Sequence, residues 1–183
     1  MADVAIDRAS RTISTGRLAL RPWTEDDASA ALEVFGSDQV ARWLAPAMEQ
    51  VPDAAAMRTR LKVWATDFTG SGRPAGRWAI EHDGGLIGAG AILPLPPDGE
   101  DLEIGWQLAP AAWGHGYATE AGKALAHFAF QGGEEEVFAV VRPRNTRGSA
   151  TAERVGMEWV GETDKYYDLR LQVYRLRKGD LRF

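Results

Sequence analysis

The stretch Leu102–Phe130, LEIGWQLAPAAWGHGYATEAGKALAHFAF, constrains the fold more than any other, because it sets a strand, a glycine-bearing turn and a helix in one unbroken run. Leu102, Ile104, Trp106 and Leu108 alternate with Glu103, Gly105 and Gln107, which predicts a strand with one buried face. Pro110 has no N–H to give to a ladder and ends it. Ala121, Ala124, Leu125 and Phe128 then recur at helical spacing, predicting an amphipathic helix that starts near Tyr117. In the turn between them, Gly114 and Gly116 admit positive φ and close approach to the backbone. Several amides can therefore converge ahead of a helix N-terminus, where free N–H groups and the helix dipole favour an anion such as phosphate or pyrophosphate. A tight turn that holds no ligand fits the same local pattern. Two known phosphate-binding motifs do not: there is no GxxxxGK[ST], and GHGYAT lacks the third glycine of GxGxxG.

A chain of 183 residues, 45% hydrophobic, has the size of one domain and enough apolar surface for a full core. Its net charge of −5 argues against non-specific nucleic-acid binding. The same acidic balance either favours a cationic substrate or simply keeps the protein in solution. The absence of cysteine removes disulfides, a thiolate nucleophile and cysteine metal sites. Three scattered histidines make a poor metal constellation, so no metal is expected. No apolar run is long enough to span a bilayer and no charged-then-apolar leader opens the chain, which makes the cytoplasm the expected compartment.

Residues 1–14 show no periodicity and are expected to form a loose tail before a single domain spanning 15–183. Arg17–Trp23 alternates as a first strand. Thr24 and Asp27 resemble a capping box that opens a helix running to Phe35 and closed by Gly36, and Ser37 can cap a second short helix through Val40 and Trp43. Met57, Leu61, Trp64 and Phe68 form a further helical stripe. Asp83-Gly84-Gly85 between two apolar runs predicts a hairpin. After the opening run come a short buried strand at Val137–Val141, a helical segment at Ala150–Val155 and two last strands at Met157–Gly161 and Leu169–Arg177. The expected order is β, α, α, β, β, β, α, β, α, β, β, with no internal repeat.

That order, with WGHGYATEA between the fourth strand and its helix, resembles the GNAT superfamily of N-acetyltransferases. TGRLALRPWTEDD, EIGWQLAPAAWGHGYATEA and the segment with Asn145, Glu153 and Gly156 each resemble motifs of the branch containing the ribosomal-protein N-terminal (alanine/serine) acetyltransferases. Together they cover roughly residues 15–162.

The resemblance implies an α+β fold with a mixed, mostly antiparallel seven-stranded sheet, helices on both faces, and acetyl-CoA wedged where the sheet splays open. It implies that the amides of Trp113, Gly114, His115, Gly116, Tyr117, Ala118 and Thr119 hold the pyrophosphate. The strand edge at Trp106, Gln107 and Leu108 would pair with the pantetheine amides like an added strand. Asn145 would meet the pantetheine arm, and Arg142, Arg144 or Arg147 the adenosine phosphates or bulk solvent. Two positions depart from the family pattern. Ala111 stands at the first position of [QR]xxGxG, and Gly148 stands where some relatives carry a serine proposed to protonate the leaving thiolate. Ser149, one place later, is then the candidate acid; the tyrosine that other GNAT enzymes use falls at Ala152. A homodimer is also compatible with the family, although no residue shows it.

Acetyl transfer to an amine needs that amine neutral and close to the thioester carbonyl. An α-amino group of pKa about 7.7–8.0 is substantially neutral near pH 7.5, whereas a lysine at about 10.4 is only about 0.1% neutral. A strongly basic acceptor therefore needs a base, and Glu103, on the less apolar face of its strand, is the candidate. Glu120, in the first turn of the helix, is better suited to the dipole than to proton transfer. Trp43, Trp64 and Trp78 either line an acceptor cleft or fill the core. The acceptor is a protein N-terminus or a small amine. Two other readings stand beside transfer: an acyl-CoA-binding sensor without chemistry, and a nucleotide-binding domain.

Overall fold

The structure, a computed structural model, describes residues 4–67 and 72–183. Its strands are β1 (Ala5–Asp7), β2 (Thr12–Ser14), β3 (Leu18–Pro22), β4 (Gly76–His82), β5 (Gly85–Pro94), β6 (Leu102–Leu108), β7 (Glu136–Val141), β8 (Glu158–Thr163) and β9 (Leu171–Arg177). The helices are α1 (Ala28–Phe35), α2 (Asp38–Leu44), α3 (Ala54–Thr66), α4 (Tyr117–Gln131) and α5 (Thr146–Val155). One mixed sheet takes the order β1-β2-β3-β4-β5-β6-β7-β9-β8. All neighbours run antiparallel except β6 and β7.

The sheet therefore has nine strands rather than the expected seven. The two additions come from residues 4–14, expected to be a loose tail. β1 pairs with β2, and Ile13 of β2 lies opposite Leu20 of β3. What fixes this hairpin is tertiary: Ile13 is fully buried, and the Trp78 indole donates to the Arg11 carbonyl at 2.7 Å. Strands of three residues are too short to show a period.

The remaining elements follow their local chemistry. Asp83 and Gly84 both take positive φ between β4 and β5, the backbone a two-residue hairpin turn requires. Thr24 donates its amide to the Asp27 carboxylate at 2.8 Å, and Asp27 also binds Arg21 of β3, so the expected cap closes a 3-10 turn at Glu25–Asp27 that leads into α1 and ties it to the sheet. Helix α5 starts earlier than its apolar pattern, because the Asn145 side chain accepts from the Gly148 amide and caps it. The α3 stripe includes Met57, Leu61 and Trp64, all buried; Phe68 lies outside the described residues.

Alternation along β4 sends side chains to two cores. Trp78 and Ile80 join the cluster under α4 and α5, with Leu20, Ile92, Ile104, Leu125 and Phe128. Ala79 joins Trp23, Phe35, Met57, Leu61 and Trp64 under α1 and α3 on the opposite face. Helices thus cover both faces. The site is positioned by what β6 and β7 fail to do: they pair in register only at Glu103 and Phe138. Beyond that point the strands part, and the β6 edge from Ile104 to Leu108 gains no partner from β7.

Candidate active site

Where β6 and β7 separate, a cavity of about 1220 Å³ opens across the sheet. One end is the turn leading into α4. Gly114 and Gly116 take φ of +85° and +79°, so the positive-φ backbone expected of them is present. Gly116 occupies the cap position of α4, and no side chain caps the helix. In contrast, α3 is capped by Asp53 and α5 by Asn145. The first hydrogen bond of α4 runs from the Glu120 amide to the Gly116 carbonyl, so the preceding first-turn amides are left for another acceptor. A Cβ built on Gly114 meets nothing within 4 Å, which leaves room for a group lying against the backbone.

The turn is held from behind. Arg17 donates to the His115 carbonyl at 3.0 Å and pairs with Glu120 at 2.6 Å, and Thr15 donates to Glu120 at 2.6 Å. These bonds hold the Glu120 carboxyl below its ordinary range despite partial desolvation. Glu120 is thus a brace for the turn.

Glu103 lies in the cavity wall at the last paired position of β6. It is half-buried among the residues that wall the cavity, which strips its carboxyl of much of its water. That desolvation pushes its carboxyl up to about 7, against the opposing effects of a hydrogen bond from the Tyr167 hydroxyl and the nearby Arg77 guanidinium. Arg77 is itself half-buried, lies 3.3 Å from Asp67 and sits over the Trp64 ring at 4.9 Å. Tyr167 comes from the β8–β9 connection, where it and Asp168 take φ of +57° and +52°. Its neighbour Tyr166 donates to Asp101 at 3.0 Å. Two consecutive tyrosines thus clamp two alternate carboxylates at the head of β6.

Of the residues singled out from sequence, Glu103, Trp106, Gln107, Leu108, Trp113, Gly114, Gly116, Tyr117, Ala118, Thr119 and Asn145 all line this cavity. Two do not. The His115 ring stacks on Tyr117 at 5.4 Å outside the lining, leaving its backbone as the relevant part. Ser149, the candidate acid, donates its hydroxyl to Gln172 at 3.1 Å and is also absent from the lining. One helical step past Gly148 turns it toward β9 instead. Asn145 spends its Oδ1 on capping α5, leaving Nδ2 as its free polar atom. Among the arginines, Arg142 donates to the Ala45 carbonyl at 2.6 Å, Arg147 stacks over Trp113 at 4.0 Å, and Arg144 is exposed. Trp43 and Trp64 line the cavity. Trp78 does not, being fully buried against Phe128. Sequence reasoning missed Trp23, Arg60, Arg77 and Tyr167, which reach the cavity from the end of β3, α3, β4 and the β8–β9 connection.

A family model described as an acetyltransferase (GNAT) domain matches residues 17–158. The chain belongs to the GNAT acetyltransferase family. Among its GNAT-type relatives, a Bacillus subtilis (strain 168) protein described as uncharacterized N-acetyltransferase YoaA is 27% identical over 158 residues, covering 84% of this chain and 86% of the relative. The solved acetyltransferase from Agrobacterium tumefaciens str. C58 has the same fold at a TM-score of 0.73 and 26% identity, covering 91% and 94% of the two chains. RimJ of Mycobacterium smegmatis, solved with CoA-disulfide, superposes at a TM-score of 0.75 and 23% identity, covering 91% and 84%. The protein is accordingly a GNAT acetyltransferase, an acyltransferase that uses acetyl-CoA as cosubstrate for N-acetylation. The glycine turn is chemically suited to that cosubstrate, since it offers uncapped amides and space for a diphosphate. Among the described residues no cluster of metal-ligating side chains occurs, and no helix is long and apolar enough to cross a membrane.

Proposed function

We propose that the protein moves the acetyl group of acetyl-CoA directly onto a primary amine bound beside Glu103, with both substrates present together. The observation that carries this reading is the position of Glu103, where β6 and β7 part, on the wall of the same cavity that the glycine turn and the aromatic residues line. The thioester supplies an activated acetyl group. Of the amides expected from Trp113 to Thr119, that of Trp113 is bonded to the Pro110 carbonyl at 3.2 Å, so those from Gly114 to Thr119 would take the diphosphate, and the edge at Trp106, Gln107 and Leu108 that β7 leaves unpaired would align the pantetheine arm as an extra strand.

Glu103 would act as base. A carboxyl with pKa of about 7 is mostly ionised just above neutrality and far more basic than an ordinary glutamate. It would accept the proton that an ammonium must lose, directly or through water, before nitrogen forms its bond to the acetyl carbon. As the C–N bond forms the C–S bond breaks, and the second proton of the amine passes to the departing thiolate directly or through water, leaving the amide and free thiol. A thiol of pKa about 8.5 needs little help from an acid. That fits a site in which Ser149 is bonded to Gln172 and Ala152 is buried. The motifs around Arg17–Asp27, Glu103–Ala121 and Asn145–Gly156 support a place in the branch with the ribosomal-protein N-terminal acetyltransferases.

The test is release of free thiol from acetyl-CoA with a panel of peptides and small amines, measured against pH for the protein and for Glu103→Gln. Amine-dependent thiol release with an ionisation near 7 that the variant loses would support the reading. Binding of acetyl-CoA without turnover on any amine would point instead to a sensor.

A further inference from the structure

The charges around the cavity restrict what can be acetylated. Among the described residues lining it, Glu103 is the one carboxyl group, set against five arginines: Arg60, Arg77, Arg142, Arg147 and Arg154. Arg147 and Arg154 belong to α5, with Arg147 stacked over Trp113 beside the glycine turn, where an anionic cosubstrate fits, whereas Arg142 reaches across to the Ala45 carbonyl after α2. The opposite end lies under α1–α3. Its wall is apolar and largely aromatic, with Trp23, Phe35, Trp43, Met48 and Trp64. Arg77 there is partnered by Asp67 and faces Glu103. Arg60, one helical turn before Trp64 on α3, stands between this cavity and a shallow surface hollow lined by Thr59 and Val63; it is half-buried and has no carboxylate or hydrogen-bond partner among the described residues.

We infer that the acceptor is a monoamine with an apolar, aromatic-sized body and a carboxylate of its own, the carboxylate being taken by Arg60 and the body by the tryptophan wall. This rests on the transferase reading above and narrows it. A polyamine or aminoglycoside would bring extra positive charges into a compartment where Asp67 already answers Arg77, Arg60 and Arg142 have no carboxylate partner among the described residues, and Glu103 is the one carboxyl group left to meet an ammonium. The reacting amine needs one carboxyl, and Glu103 is there for it. A guanidinium without a partner, set at the rim of an apolar wall, matches a carboxylate by charge and by its planar fork of donors. Flat indole surfaces suit an aromatic or large aliphatic side chain.

The test measures thiol release from acetyl-CoA with L-phenylalanine, L-phenylalaninamide, spermidine and kanamycin, in the protein and in Arg60→Gln, at a pH above the ammonium pKa of both phenylalanine probes so that their different basicities do not enter. L-Phenylalanine should have the highest kcat/KM and exceed its amide by about tenfold, the size expected for one charge-assisted contact, and the variant should abolish that preference. Calorimetric binding of N-acetyl-L-phenylalanine should weaken by about the same factor in the variant, independently of turnover. An amide as good as the free acid, or faster turnover of spermidine or kanamycin, overturns the inference and leaves the transferase reading standing. An acid-to-amide ratio unchanged in Arg60→Gln removes Arg60 as the carboxylate site. No thiol release with any amine overturns both readings.

Discussion

The Tyr167 hydroxyl donates to Glu103 Oε1 across the mouth of the β6–β7 split, joining a residue of the β8–β9 connection to the last paired position of β6. The phenol itself stays neutral, since burial and the neighbouring carboxylate push its ionisation far above the usual range. It therefore only donates, and in doing so stabilises the charged form of Glu103. Tyr167→Phe removes that donor while keeping the ring. The acidic limb of kcat/KM should then move upward from about 7, with kcat reduced and KM for acetyl-CoA unchanged. Tyr166→Phe, which breaks only the bond to Asp101, serves as the comparison. An unmoved limb in Tyr167→Phe would show that the bond does not tune the base.

Glu103→Gln keeps the shape and the acceptor for Tyr167 but removes the base. The loss in kcat/KM should be about 10²- to 10⁴-fold between pH 7 and the pKa of the acceptor amine. The gap should close above that pKa, where the amine is neutral unaided. A ratio flat across pH would remove Glu103 as base. Stability supplies a separate check. The folded carboxyl titrates near 7 and the unfolded one near 4.5, so between these values the folded state holds more protons and stability declines as pH rises. The variant lacks that ionisation. Its thermal midpoint should gain relative to the parent as pH is raised from 4.5 to 7 and hold the advantage above.

How much of this could be read from sequence depends on the range of the forces involved. Leu102–Leu108, the glycine turn and α4 are set by local alternation, glycine φ and a helical stripe, and the structure has them at the expected residues. The β1–β2 hairpin was not legible, because its strands are too short to show a period and Arg11 is fixed by Trp78, 67 residues away in the chain. Tyr167 was invisible for the same reason. Two tyrosines in a polar connection carry no period, and their meaning comes only from Asp101 and Glu103 lying opposite. Ser149 lies one residue of helix past Gly148, about 100° of rotation on, and its hydroxyl meets Gln172, a contact that no local pattern shows.

The two turn glycines separate ligand effects from folding effects. At Gly114 an added Cβ meets no protein atom, and at Gly116 it comes within 3.5 Å only of the Arg17 guanidinium. Gly114→Val and Gly116→Val should each cost about 1–3 kcal/mol of stability for holding a branched residue at positive φ, leaving the sheet folded. Acetyl-CoA binding should fall below detection in both, because the side chain occupies the space in front of the amides. Calorimetry on variants with native-like circular dichroism measures this. Retained affinity would mean the turn is not the diphosphate cradle.

Gly148 stands where relatives place a serine, and restoring that serine should not restore an acid. A Cβ on Gly148 would lie 2.8 Å from Asn145 Nδ2 and 2.9 Å from Val141 Cγ1. Both neighbours are held: Asn145 caps α5 through the Gly148 amide itself, and Val141 is buried at the end of β7. Gly148→Ser must displace one of them, at a cost of about 1–3 kcal/mol, and displacing Asn145 also loosens the α5 cap. The expected result is a lower thermal midpoint together with a raised KM for acetyl-CoA, since Asn145 faces the cavity. Gly148→Ala should reproduce both effects, because the Cβ and not the hydroxyl causes them. A serine variant that is as stable as the parent and faster in kcat would show instead that the helix gives way easily and that a hydroxyl at this position serves the leaving thiolate.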